Sequence, residues 1–167
     1  RLARWQGDVA AAGEELQALS GVDRLVLVGL RLGAALAATG SAGLPVERLV
    51  LWDPVTSGRS LVDRWQGLHR NLIGDERFFP RPRQDGSDGL LGCAFSLPLR
   101  QDLAKLDLAT LDPWPSRRIS VVASSPGAEA AALVEALRAR QLFADLVLPS
   151  TPGTWDNLVT MEKAFVP

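Results

Sequence analysis

The stretch LVLVGLRLGAALAATG, residues 25–40, constrains this chain more than any other. Leu25 to Val28 is a continuous apolar run, which suits a strand buried on both faces, as in a parallel sheet. Gly29-Leu30-Arg31-Leu32-Gly33 is a turn, and Ala34 to Thr39 is a small-residue helix closed by Gly40. The turn is so short that its middle residue, Arg31, is expected to take a strained backbone. Gly29 and Gly33 let the strand and helix backbones approach, and Ala34 and Ala35 keep the helix close. Arg31 then sits at a helix N-terminus, where backbone N–H groups favour negative charge.

The rest of the chain repeats this alternation. Residues 1–20 read as a helix, with Leu2, Trp5, Val9, Ala12, Leu16 and Leu19 near helical spacing and Gly21 as its stop. Leu49 to Trp52 is a second buried strand, ended by Asp53-Pro54. Residues 60–72 are helical, with Leu61, Trp65, Leu68 and Leu72 on one face. GDERFFPRPRQDGSDG is irregular. Residues 97–106 form a short helix, Ile119 to Ala123 a third strand and Ala128 to Arg140 an amphipathic helix with Leu133, Val134 and Leu137 inward. Ala144 to Leu148 is a fourth strand, and Leu158 to Phe165 a final helix. Strand and helix in alternation predict an α/β fold, a mostly parallel sheet with helices on both faces. Four strands make a small sheet, and helix-like sequence starts directly at Arg1, so further strands upstream are expected. The segments are residues 1–57 and 116–167 for the α/β core and 58–115 for a cap-like insert, one domain overall.

Bulk properties exclude several classes. The chain has 167 residues, enough for one domain with a sizeable core. Lys plus Arg is 18 and Asp plus Glu is 19, so no basic field invites nucleic acid. One cysteine, Cys93, and one histidine, His69, make neither a disulfide nor a histidine-rich metal site. No cofactor is expected. No apolar run reaches the ~20 residues of a membrane span. No signal peptide is read, and a reducing, cytoplasmic compartment is the default.

Strand, Gly-x-x-x-Gly and helix is the sequence form of a nucleophile elbow. Here the chain resembles the α/β-hydrolase superfamily, over most of its length: the elbow GLRLG, the next strand RLVLWDP, a cap-like insert, then RRISVVAS, a helix and ADLVLPSTPG. More narrowly, VGLRLGAALAA, LWDPVTSGRSLVDRW and LLGCAFSLPLRQDL resemble hydrolase-like proteins of bacterial exosortase-associated and exopolysaccharide loci. The resemblance implies a Ser-His-acid site, and the sequence departs from it. The nucleophile position is Arg31, a guanidinium without a nucleophilic lone pair. The acid position matches Asp53 after the second strand; after the third, Ser124, Ser125 and Glu129 are imperfect matches. Where the histidine belongs, TPGTWDN has none.

Each candidate has two readings. Arg31 with its neighbour Leu30 forms an anion site, or Arg31 pairs with Asp53 or Asp156. Asp53 is a relic acid or a turn cap. His69 is a base reaching from the insert or a surface helix residue. Cys93 and Ser96 read as ordinary side chains, as do Ser124 and Ser125 in the absence of a histidine. Trp52, Trp65, Trp114 and Trp155 line an acyl pocket or pack the core, and Phe78 and Phe79 pin a solvated loop. The expected partners are a small acyl or anionic ligand and an upstream segment or partner chain that completes the sheet.

Three functions follow. One is a hydrolase-fold protein retired from catalysis, another a noncanonical acyl-ester or thioester hydrolase. The third is a Rossmann-like nucleotide binder, for which Asp53 is the acid about 20 residues past the turn. Its glycine spacing, G-x-x-x-G, is not the dinucleotide pattern.

Overall fold

The computed structural model describes residues 1–74, 89–91 and 93–149. The chain divides into two compact units. One holds Ser57–Asp107 with Arg1–Arg4, and the other holds Trp5–Thr56 and the chain from Leu108 onward.

The second unit is the α/β part. It holds helix α1 (Leu2–Ser20) from Trp5 onward, strand β1 (Leu25–Leu30), helix α2 (Leu32–Gly40) and strand β2 (Val46–Trp52). Gly21 takes φ +68°, the left-handed conformation that ends a helix. β1 and β2 pair in parallel, Val28 beside Val50 and Leu30 beside Trp52.

The other unit interrupts the sheet in sequence. Helix α3 is Gly58–Ile73, a hairpin pairs β3 (Gly89–Leu90) with β4 (Cys93–Ala94), and helix α4 is Leu97–Ala104. Val62 and Leu61 are buried on α3, whereas Leu68 is exposed. Phe95 is buried and meets the Trp65 ring edge-on at 5.8 Å between centroids. The run RFFPRPR lies outside the described residues.

The sheet then resumes with β5 (Arg118–Val122), α5 (Ala128–Ala139) and β6 (Phe143–Val147). Its order is β1-β2-β5-β6, parallel throughout, and α2 and α5 flank it. Burial is one-sided. Leu49, Leu51, Ile119 and Val121 are almost wholly enclosed, together with Ala34 and Ala35 of α2 and Leu133, Val134 and Leu137 of α5. On the opposite register row Val26, Val28, Leu30 and Val147 are exposed, Val28 to 66%. The strands do not show the two-sided burial that their apolar runs predict. In α1, Leu2 is buried, but Trp5, Leu16 and Leu19 are exposed. Gly13, mid-helix, provides the close approach instead, with Leu44 and Leu25 against it.

Among the described residues no helix is long and apolar enough to cross a membrane.

Candidate functional site

The carboxyl ends of β1, β2 and β5 meet in a stair of main-chain hydrogen bonds. The Arg31 N–H donates to Trp52 O at 2.9 Å, Asp53 N–H to Val122 O at 2.7 Å, and Ala123 N–H to Val147 O at 2.9 Å. Each strand end is thus tied to its neighbour one residue past the ladder.

Arg31 sits in the first step, between β1 and α2, with φ 54° and ψ −121°. That is a sparsely populated conformation for a residue with a side chain, and it persists only where the surroundings enforce it. The enforcement is visible. Arg31 O accepts from Ala34 N–H at 3.1 Å and Val55 N–H at 3.3 Å, so both of its peptide groups are clamped. Gly29 is a steric requirement: a Cβ there would lie 2.4 Å from Ala34 Cα and 2.5 Å from Gly33 O. Gly33 is not, since a Cβ there would meet nothing within 4 Å. Of the two glycines that the turn pattern singles out, one is needed for packing.

The Arg31 side chain is half-buried. Its Nη1 donates to the Asp53 main-chain carbonyl at 3.5 Å, a long contact. Among the described residues it makes no ion pair. The pairing of Arg31 with the Asp53 carboxylate, weighed from sequence, is not formed there. The carboxylate is turned toward Ser124, and Arg31 meets the main-chain carbonyl of Asp53 instead.

Asp53 follows β2 with φ 41°. Its Oδ1 accepts the Ser124 N–H at 2.7 Å and its Oδ2 accepts the Ser124 hydroxyl at 2.5 Å. The Trp52 indole N–H donates to the same Ser124 oxygen at 2.9 Å. Ser124 is buried and its hydroxyl is used both ways, as donor and as acceptor. Two neighbouring residues of β2's end therefore grip one residue after β5. Ser124 carries this junction, although the sequence offered it as an ordinary hydroxyl. A serine just past a strand gives no signal of a carboxylate 71 positions away.

Leu30 and Trp52 are partly exposed, at 43% and 39%. They are register partners and lie beside Arg31. Asp156 and Trp155 lie outside the described residues. His69 belongs to the helical unit, where its Nδ1 accepts the Leu91 N–H at 3.1 Å. Cys93 is exposed on β4. Ser96 stands before α4 without a side-chain capping bond. Ser125 and Glu129 are exposed. No group of three His, Cys, Asp or Glu side chains suited to a metal occurs among the described residues.

Chemically, the turn presents a permanent cation, and a guanidinium has no nucleophilic lone pair with which to attack an acyl carbon. No family model and no curated protein matches this sequence.

Proposed function

We propose that this chain is an α/β-hydrolase-like scaffold retired from acyl chemistry, whose elbow residue Arg31 holds a small anionic ligand such as a carboxylate. The observation that carries the reading is the backbone of Arg31, φ 54° and ψ −121°, at a turn from strand to helix. A strained strand-to-helix turn supports the nucleophile-elbow reading, and the side chain it displays is cationic. Leu30 and Trp52 beside it offer apolar surface for the carbon portion of an acyl anion. Asp53 is the acid-like residue at the end of the neighbouring strand, and its two oxygens accept from the Ser124 amide and hydroxyl. The G-x-x-x-G spacing of the turn, which is not the dinucleotide pattern, disfavours the Rossmann-like alternative.

The test combines turnover of short- and medium-chain acyl esters with fluorophosphonate labelling and octanoate binding. The expected result is no turnover, no label, and octanoate binding that Arg31→Gln abolishes. Ester turnover with a labelled serine would overturn the proposal and locate the nucleophile elsewhere.

A further inference from the structure

The helical unit carries a groove between α3 and α4 that has no part in the elbow. It has a volume of 580 Å³ and is lined by Arg59, Asp63 and Gln66 of α3 and by Arg100, Gln101 and Lys105 at the end of α4. We propose that it binds a small phosphoryl-bearing anion.

The first argument is charge. Arg59, Arg100 and Lys105 line the groove with one carboxylate, Asp63, in a chain whose net charge is −1. Arg59 and Lys105 enter no ion pair among the described residues. Two cations outside any ion pair in one concavity raise the potential there and draw an anion in.

The second argument is arrangement. Arg59, Asp63 and Gln66 are spaced i, i+4, i+7 and so share one face of α3; Gln101 and Lys105 are spaced i, i+4. Arg100 is held in advance. Its guanidinium lies over the Phe95 ring at 5.5 Å from the centroid, and Phe95 is itself buried against Trp65. A stacked guanidinium loses less freedom on binding than a loose one, and its planar fork matches phosphoryl oxygens. Gln66 and Gln101 add neutral donors for further oxygens.

The third argument is size. The volume lies within the range of small-molecule sites. It exceeds the needs of a single inorganic ion, so the remainder of an organic phosphate has space. Asp63 is the one group that opposes binding, and it marks the site for testing.

The experiment is calorimetric titration of the full chain with pyrophosphate at low ionic strength, with citrate as a carboxylate control. Saturable pyrophosphate binding is expected, about tenfold weaker in R59Q/K105Q and tighter in Asp63→Asn. Arg59, Asp63 and Lys105 are exposed, so these variants keep the fold. Arg48→Gln, in a separate depression by β2 and β5, should change nothing. Absence of saturable binding, binding indifferent to the three groove substitutions, or preference for citrate would each overturn the proposal.

Discussion

The Asp53 carboxylate places one oxygen on the Ser124 amide and the other on the Ser124 hydroxyl, joining the end of β2 to the loop after β5. Hydrogen bonds to a charged group contribute about 1.5–3 kcal/mol each when both partners are present. Asp53→Ala should therefore lower unfolding free energy by about 2–3 kcal/mol, and Ser124→Ala, which spares the amide bond, by about 1 kcal/mol. A double-mutant cycle in urea should show the two coupled by about 1 kcal/mol. Additive effects would mean that the carboxylate and hydroxyl act separately.

The two glycines of the turn should behave oppositely. Gly29→Ala forces a methyl group into the backbone of α2 and should cost about 3 kcal/mol or more, if the protein folds at all. Gly33→Ala, in open space in the first turn of α2, should be neutral or stabilise by up to about 1 kcal/mol. Urea midpoints of the two variants would distinguish them at once. Equal losses would contradict the packing described.

Arg31 combines a strained backbone with a side chain that has no ion pair among the described residues. Arg31→Gly removes the strain without breaking a charge pair, so it should raise stability by about 1 kcal/mol. Arg31→Ala keeps the strain and should change stability by less than about 1 kcal/mol. Thermal melts of the three proteins should rank Gly above Arg and Ala. A large loss in both variants would point to a structural role for the guanidinium.

One-sided burial sets up another contrast. Leu51→Ala, on the enclosed row, should cost about 2–5 kcal/mol, as cavity-forming substitutions in packed cores do. Val28→Thr, on the exposed row, should stay within about 0.5 kcal/mol. Denaturant titration of both reads the asymmetry. A comparable loss at Val28 would show that its row is covered in solution.

The sequence made the strands legible because their apolar runs are continuous, and the turn legible because few residue patterns pass from strand to helix in so short a space. It located Arg31, and it anticipated the strain there from the shortness of the turn. The gaps have physical causes. β2 begins at Val46, three residues before its apolar run, because Glu47 and Arg48 are on exposed positions where polarity costs a strand little. The β3–β4 hairpin has two-residue strands, too short for any periodicity. Asp53 kept two readings, relic acid and turn cap, because its partner is Ser124. A bond between residues so distant in sequence is a product of the sheet register, which pairs Trp52 with Val122 and so brings the two strand ends level. In α1 the helical spacing predicts the helix, which is present, but not which of its apolar residues are covered. Periodicity reports which side chains share a face, and only packing decides how far along the helix that face is covered.

Within the α/β unit, Leu108 N–H donates to Thr56 O at 2.9 Å. Gly58 N–H donates to Leu106 O at 2.8 Å, and Ser57 and Asp107 form an antiparallel bridge, so the chain from Ser57 to Asp107 departs and returns through a short antiparallel neck. Closing a loop costs entropy that grows only slowly with its length. For the sheet, the size of that excursion is close to a free variable: it can lengthen, shorten or be exchanged for a tight link while β2 and β5 keep their register. The architecture separates what is fixed from what can be traded, and the place of trade is the antiparallel neck at Thr56 and Leu108.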